Sequence, residues 1–257
     1  MPDQDADNAS SEKSRLYKIR HSTAHIMATA IQQMFPDAKF AIGPPIEDGF
    51  YYDFELPRPL STDDFDELEG RMLGIVKRDY EFVQESWPKE KALEYFEDRD
   101  EPYKVELIHG IEEDEVSIYH DADFTDLCAG PHVDRTSECE NFKLLKVAGA
   151  YWRGDEDNTM LQRVYGTAFE TEEELDDYLY MVEEAKRRDH RKLGKELDLF
   201  RFDDRSPGSV FWMPRGWTAY RQLKGYFREI EAENDYEEIH NPMLYDKELF
   251  EESGHWD

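Results

Sequence analysis

Two short motifs that contain histidine are the clearest chemical feature of this chain. His21 and His25 are four residues apart in a segment with small and apolar residues at helical spacing, so both imidazoles should lie on one helix face. Cys128 and His132 flank Gly130-Pro131, which predicts a turn. A helical pair and a loop pair can converge on one pocket that holds three imidazoles and a thiol. Such a set either binds a metal ion or transfers protons at a hydrolytic site.

These residue types leave several kinds of chemistry open. The set His21, His25, Cys128 and His132 has the ligand chemistry of a tetrahedral zinc site. The Cys128 thiol could instead act as a nucleophile that forms a covalent acyl intermediate. Simple packing of all four side chains is the remaining structural explanation. The residues alone do not decide among these alternatives.

Length and composition bound the class of protein. The chain has 257 residues and 39% hydrophobic content, enough for one large or two ordinary domains with a buried core. Two cysteines, Cys128 and Cys139, are too few for a disulfide framework. The N-terminal segment does not resemble a signal peptide, and no run of 18 apolar residues occurs. We therefore expect a cytoplasmic protein with reduced thiols and without membrane association.

The charge of the chain is strongly negative. Its formal net charge is −30, from 61 acidic and 31 basic residues spread along the sequence. An evenly acidic surface repels nucleic acid at low salt. Adaptation to a salty cytoplasm, in which ions screen this repulsion, explains the composition. The alternative explanation is a partner that is not a nucleic acid.

The segments that must position the motifs mix helices and strands irregularly. Turn signals at 43–45 and 48–49 precede an aromatic, strand-like stretch at 50–54. Ser61 and Asp64 form a capping box before a helical pattern of apolar residues, Phe65, Leu68, Met72, Ile75 and Val76. A strand that ends at Trp87 leads into a short helix after Pro88, and further short strands are predicted at 105–108, 116–120, 142–147 and 160–165. The absence of a regular βαβ alternation favours an α+β fold.

A basic segment follows this first region. Thr171 and Glu174 form a second capping box, and the helix that it begins should run to about Leu193. Its later part is the densest cationic stretch, with Lys186, Arg187, Arg188, His190, Arg191, Lys192 and Lys195. These cations either complement the helix macrodipole or contact phosphates. Beyond residue 199 we expect a loop and strand, an amphipathic helix over 217–233 and a strand over 236–243, in a domain that is truncated at Asp257.

Many short motifs occur in one order along the chain. They include His21-Ser-Thr-Ala-His25, Ile42-Gly-Pro-Pro45, Gly49-Phe-Tyr-Tyr-Asp53, Tyr103-Lys-Val-Glu-Leu-Ile108, Phe124-Thr-Asp-Leu-Cys-Ala-Gly-Pro-His132, Lys146-Val-Ala-Gly-Ala-Tyr-Trp-Arg-Gly-Asp155 and Met160-Leu-Gln-Arg-Val-Tyr-Gly-Thr167. They continue with Arg188-Asp-His-Arg-Lys192, Leu197-Asp-Leu199, 208–212 and Ser253-Gly-His-Trp-Asp257. With these motifs the chain resembles threonyl-tRNA synthetase of the bacterial type, over nearly all of the sequence after residue 15.

This resemblance implies a domain organisation. Residues 1–14 would be a disordered acidic tail, 15–171 an editing domain, 172–198 a linker helix and 199–257 the truncated start of a class II catalytic domain. The full enzyme would threonylate tRNA(Thr) with ATP, and the editing domain would hydrolyse mischarged seryl-tRNA(Thr). Editing would need no cofactor, whereas the full enzyme would use ATP, Mg and Zn through ligands beyond residue 257. The full enzyme would also be a homodimer. The alternative function is a stand-alone, metal-dependent aminoacyl-tRNA deacylase.

The resemblance also assigns roles to individual residues. The editing pocket would be lined by His21, His25, Lys104, Asp126, Cys128 and His132. In this assignment His21 and Lys104 activate water, His25 and His132 position the substrate, Asp126 orients a lysine or histidine, and Cys128 shapes the pocket. Tyr51 or Tyr52 would close one wall or contact the terminal adenosine. The residues expected to contact tRNA are Arg153, Arg163, Arg187, Arg188, Arg191 and Lys192. No metal is expected, with zinc at His21, His25, Cys128 and His132 as the alternative.

Overall fold

The computed structural model describes residues 14–240, 242 and 246–256, which divide into two compact units. The first unit ends at Met181 and the second begins at Val182. Elements of the first unit are α1 (Arg15–Met34), β1 (Lys39–Phe40), β2 (Pro45–Ile46), β3 (Gly49–Glu55), α2 (Phe65–Arg78), β4 (Val83–Pro88), α3 (Lys89–Glu97), α4 (Pro102–His109), β5 (Glu115–Asp121), β6 (Phe124–Leu127), β7 (Phe142–Tyr151) and β8 (Met160–Ala168). Helix α5 (Glu172–Arg187) spans the boundary between the units. This mixture of helix and sheet confirms the α+β prediction.

Two antiparallel sheets form the frame of the first unit. The main sheet has the strand order β1-β3-β8-β7, and β2 also pairs with β3. Strands β4, β5 and β6 form a second sheet in that order. Helix α1 is buried along most of its length, including Ala24 and Ala28, and it packs against β3 and α2. The histidine motif therefore lies at the centre of the unit.

Helix α2 follows the sequence prediction closely. Ser61 and Asp64 make both hydrogen bonds of a capping box, and the five predicted apolar positions are the buried residues of the helix. The predicted helix with the histidine motif is also present, and it begins at Arg15. The Ser14 side chain accepts a hydrogen bond from the Tyr17 N–H and so caps that end.

The strand predicted at 105–108 is wrong. These residues belong to helix α4, which has Pro102 in its first turn. A short apolar run fits a buried helix as well as a strand, and a proline at the start of a helix has a favourable φ. The correction matters because α4 carries Lys104, a buried residue that the helix directs inward.

The single helix predicted from residue 171 to about Leu193 is also wrong. The capping box of Thr171 and Glu174 is present, but α5 ends at Arg187 and a separate helix α6 (His190–Glu196) follows. The Asp189 side chain accepts a hydrogen bond from the Arg191 N–H and so caps α6. The basic stretch is thus divided between the end of one helix and the next.

The second unit contains a short hairpin and two further helices. The hairpin consists of β9 (Phe200–Phe202) and β10 (Val210–Trp212), and it is followed by α7 (Pro214–Glu233) and α8 (Lys247–Glu252). The predicted helix is therefore confirmed, with an earlier start. Residues 236–240 form no strand, and 241 and 243 of the same predicted strand lie outside the described residues. Of the tail predicted at 1–14, residues 1–13 also lie outside the described residues, and Ser14 caps α1. Within the described ranges, no helix is long and apolar enough to cross a membrane.

Candidate functional site

Helix α1 and the loop after β6 bring the two histidine motifs together. His21 and His25 project from one face of α1, and Cys128 and His132 come from the loop that contains Pro131. One nitrogen or sulfur atom from each of these four side chains lies within 4.8 Å of the others. The expected convergence of the two motifs is therefore present in the tertiary structure.

The hydrogen-bond partners around Cys128 indicate which ring nitrogen of His21 carries a proton. The Cys128 Sγ lies 3.3 Å from the Nε2 atoms of both His21 and His132, and it accepts a bond from the Gly130 N–H. His21 Nδ1 lies 3.2 Å from the Pro131 carbonyl oxygen, which can only accept. His21 therefore carries its proton on Nδ1 when neutral, and its Nε2 lone pair faces Cys128.

A buried serine orients the remaining imidazole of the loop. The Ser22 hydroxyl accepts a hydrogen bond from the Val133 N–H at 3.0 Å and lies 3.0 Å from His132 Nδ1. If the hydroxyl donates to Nδ1, His132 carries its proton on Nε2 and donates it to the Cys128 sulfur. The contacts of Cys128 with His21 and His132 are then satisfied by neutral side chains. Ser22 was not among the predicted site residues, because a serine inside a helix has no distinctive sequence signal.

A buried ion pair lies beside the cluster. Lys104 and Asp126 form a salt bridge, and the side chain of each is 3% exposed. The Asp126 carboxylate also accepts a hydrogen bond from the Tyr52 hydroxyl at 2.6 Å, and the same hydroxyl accepts one from Lys104 at 3.0 Å. His25 Nε2 lies 3.6 Å from Asp126 Oδ2. Because the buried charges are paired and hydrogen-bonded, their mutual attraction offsets the desolvation cost of holding them in the pocket.

Burial controls the protonation of two of the histidines. Desolvation, together with the nearby positive charge of Lys104 and the His21 ring, lowers the pKa of His25 well below its usual value. The pKa of His132 is also lowered, first by burial and then by the two neighbouring histidines. Both rings are therefore neutral at physiological pH. A group with such a lowered pKa is a weak proton acceptor, so neither ring is well suited to be a general base.

Most of these side chains open onto one cleft of about 360 Å³. Its walls include His21, His25, Lys104, Asp126 and Cys128, together with the loop segment 42–45. His132 is the exception, because it lines a separate cavity of about 400 Å³. The six predicted catalytic residues are thus clustered, but one of them faces a different opening.

The two tyrosines considered for the pocket wall have different surroundings. Tyr52 is fully buried and contacts the ion pair through its hydroxyl, and burial together with Asp126 raises its pKa well above the usual value. Tyr51 alternates with it along β3 and therefore lies on the opposite face of the sheet. Of the two tyrosines, Tyr52 is therefore the one that contacts the Lys104–Asp126 pair beside the cleft.

The arginines predicted to contact tRNA are mostly engaged with carboxylates. Arg153 pairs with Glu106, and Arg163 makes two hydrogen bonds to Asp53. In the second unit, Arg187 and Arg188 both pair with Glu184, and Arg191 pairs with Asp189. Lys192 is exposed on α6. These ion pairs reduce the positive potential that the basic stretch presents to an RNA backbone.

A buried carboxyl group on β5 is a further feature that sequence reasoning missed. Asp121 is 1% exposed, and its Oδ2 lies 2.7 Å from the Thr29 hydroxyl, which also contacts the His25 carbonyl oxygen at 3.0 Å. One hydroxyl proton cannot serve both acceptors, so a protonated Asp121 completes the arrangement. Burial raises the pKa of Asp121 to about 7, which agrees with a neutral carboxyl group.

The arrangement has the components of an ester hydrolase that acts through water. It combines an imidazole whose Nε2 faces the Cys128 sulfur, a buried cation, neutral imidazoles and a cleft large enough for an aminoacyl group. Comparison with known proteins shows which family of enzymes the chain is similar to.

The comparisons relate the chain to enzymes that charge tRNA. Residues 116–165 match the family model described as "Threonyl and Alanyl tRNA synthetase second additional domain". The chain is 52% identical over 240 residues to the threonine–tRNA ligase of Acidovorax sp. (strain JS42), and this alignment covers 93% of the chain and 38% of that relative. The ligases of Leptothrix cholodnii and Laribacter hongkongensis are 51% and 50% identical, with the same coverage. The chain thus spans 38% of the length of these relatives. The predicted resemblance to threonyl-tRNA synthetases is confirmed.

Proposed function

We propose that this chain removes serine from mischarged seryl-tRNA(Thr) by hydrolysing the ester to the terminal ribose. The observation that carries the proposal is the cleft in which the His21 ring and the buried Lys104–Asp126 pair meet. Threonine and serine differ by one methyl group, worth only about 1–3 kcal/mol in a hydrophobic pocket, so a synthetic site benefits from a second, hydrolytic site. Sequence similarity to threonine–tRNA ligases supports this substrate class.

In the proposed mechanism His21 is the general base. Its Nε2, which faces the Cys128 sulfur, accepts a proton from an attacking water molecule that displaces this contact, and Nδ1 donates to the Pro131 carbonyl, which holds the ring in this tautomer. The hydroxide adds to the ester carbon. The imidazolium then returns the proton to the ribose oxygen as the ester C–O bond breaks, which releases free serine and uncharged tRNA.

Lys104 stabilises the negative charge that develops on the ester oxygen. Two of its three N–H groups point to Asp126 and to the Tyr52 hydroxyl, which leaves one for the substrate. Asp126 fixes the ammonium group in position. The neutral His25 ring positions the substrate, and the Cys128 sulfur holds His21 and His132 at a fixed separation.

The longer protein is proposed to be a threonine–tRNA ligase. Residues 15–171 would form its editing domain, 172–198 a linker and 199–257 the beginning of a class II catalytic domain. Its ligation would use ATP, Mg and Zn, with ligands outside this chain, in a homodimer in the cytoplasm. Its macromolecular partner would be tRNA(Thr), which the exposed cations of the second unit would contact.

A deacylation assay tests the editing proposal. Wild-type protein and its His21→Ala variant are incubated with seryl-tRNA(Thr) at high salt, and ester cleavage is measured. Loss of a general base should reduce the rate by about 10²-fold or more. The matched control is His109→Ala, which removes an exposed histidine from α4. Absence of hydrolysis by the wild type, or equal rates for the two variants, would contradict the proposal.

A metal-dependent deacylase is the second candidate function. The set His21, His25, Cys128 and His132 fits zinc chemically, because neutral imidazoles and a thiolate, formed when the thiol loses its proton, are its usual ligands. Both Sγ–Nε2 distances are 3.3 Å, near the roughly 3.6 Å that a tetrahedral zinc site requires. If three of these residues held zinc, the fourth position would be open, and the metal could polarise a water molecule or the ester carbonyl there. Stoichiometric zinc that is lost in Cys128→Ala would support this candidate, and metal-free active protein would exclude it.

A further inference from the structure

The face of the main sheet that carries Tyr51 has a cluster of stacked cations and aromatic rings. The Arg163 guanidinium lies 3.9 Å from the centre of the Tyr51 ring, and the Lys146 ammonium lies 4.5 Å from that of Tyr165. The two ring centres are 5.8 Å apart, because Tyr51 and Tyr165 are register partners on adjacent strands. All four side chains are at least partly exposed. We call Tyr51, Lys146, Arg163 and Tyr165 the stacking patch.

The stacking patch adjoins the wall of the catalytic cleft. Segment 42–45 lines that cleft, and it is hydrogen-bonded to the strand that carries the patch. The Tyr51 N–H donates to the Pro44 carbonyl at 3.4 Å, and the Asp53 N–H donates to the Ile42 carbonyl at 2.9 Å. The cleft and the patch are thus separated by one backbone segment. An extended polymer that crosses this segment can contact both.

The chemistry of the patch suits unpaired nucleotides. Aromatic rings and arginine planes stack bases without regard to sequence. Two hydrogen bonds to the buried Asp53, of 2.7 and 2.8 Å, hold the Arg163 plane in place and neutralise its charge. Lys146 has no carboxylate within ion-pair distance in the described part of the chain, so it is available to a phosphate. The patch therefore offers two fixed stacking surfaces and one positive charge on a strongly acidic protein.

We propose that the stacking patch binds the unpaired 3′ end of an RNA whose last nucleotide enters the catalytic cleft. This inference rests on the proposed deacylase function and adds the path of the substrate strand. Stacking supplies most of the affinity, because only one cation of the patch is unpaired. Binding should therefore depend weakly on salt, with a slope of log K against log [salt] of about −0.7 for one phosphate contact to a single strand.

Fluorescence anisotropy with a labelled single-stranded RNA of about ten nucleotides tests the binding step. Tyr165→Ala should weaken binding about tenfold, the scale expected for one lost stacking contact. Arg163→Lys should also weaken it, since it keeps the charge opposite Asp53 but loses the planar surface. Lys146→Ala should remove the residual salt dependence. The matched control is Lys91→Ala, which removes a lysine stacked 3.7 Å from the Trp87 ring elsewhere in the same unit.

Deacylation kinetics separate this inference from the proposed function. Tyr165→Ala should raise KM for seryl-tRNA about tenfold. It should not change hydrolysis of a seryl ester of adenosine, because that ester is too short to reach the patch. Equal RNA binding by Tyr165→Ala and Lys91→Ala would overturn the inference. Equal loss of hydrolysis of both esters would indicate a structural role instead and would also overturn it. Displacement of the RNA by an acidic peptide bound at the patch would identify a protein-binding surface. A wild type that binds RNA at the patch but hydrolyses neither ester would refute the deacylase proposal alone.

Discussion

The buried Lys104–Asp126 pair allows a quantitative prediction about stability. Replacing Lys104 with methionine preserves the length of the side chain but leaves the Asp126 charge in a site that is 3% exposed. Removal of one partner of a buried pair typically costs about 3–5 kcal/mol. Here the Tyr52 hydroxyl still donates to the carboxylate at 2.6 Å, so we expect a loss near 3 kcal/mol.

A double-mutant cycle distinguishes the loss of the pair from general damage to the core. Asp126→Asn alone should also cost about 3 kcal/mol, because it leaves the lysine without its charged partner. The double variant should cost far less than the two single losses together, with a coupling free energy of at least about 2 kcal/mol. The half-exposed Lys143, which pairs with Glu69 at 2.7 Å, provides the control, and its replacement by methionine should cost below about 1 kcal/mol.

Urea denaturation at fixed high salt, followed by circular dichroism, measures these free energies of unfolding. The dependence of the unfolding free energy on urea concentration must be the same in all variants, so that the transition midpoints report differences in stability alone. A cost below about 1 kcal/mol for Lys104→Met would refute the reasoning, since it would mean that the pair is hydrated in solution. Additive losses in the double variant would refute it as well, because they would mean that the two charges do not interact.

Three further predictions concern neighbours of the site. Burial raises the pKa of Asp121 to about 7, so as pH rises the unfolded chain loses this proton before the folded chain does. The free energy of unfolding should therefore fall between about pH 4 and pH 7, by on the order of 4 kcal/mol. Unfolding curves for Asp121→Asn should lack this decrease. Gly43→Ala would place a methyl carbon 2.0 Å from the Tyr52 ring, so it should lower the free energy of unfolding by about 1–3 kcal/mol and reduce deacylation. Gly74→Ala, which has open space around it in α2, is the control and should stabilise the protein by about 0.5–1 kcal/mol in thermal unfolding. Ser22→Ala leaves a buried N–H without its acceptor and should cost about 1–3 kcal/mol in urea denaturation, and an unchanged midpoint would contradict the proposed hydrogen bonds.

Sequence reasoning succeeded where the signal was local. The capping box of Ser61 and Asp64 and the spacing of the apolar residues after it predicted α2 and its buried face, because both depend on neighbours within one or two turns. The spacing of His21 and His25 predicted their common helix face for the same reason. The apolar run at 105–108 misled because it is too short to show a period, and packing of α4 against α3 decided its conformation.

Features that depend on distant segments had no signal in the sequence. The choice between Tyr51 and Tyr52 required the position of Asp126, which lies on a strand of the other sheet. The raised pKa of Asp121 depends on its burial, and proximity in the sequence does not determine burial.

The sequence by itself determined the family resemblance, the α+β class and the residue types available for catalysis, because motifs and periodicity are properties of short segments. Only the tertiary structure decided which atoms of those residues meet. It placed the His21 lone pair at Cys128, fixed Lys104 between Asp126 and Tyr52, and directed His132 toward a separate cavity. Hydrogen bonds and ion pairs depend on distances of a few ångströms between residues about one hundred positions apart, and only folding sets those distances.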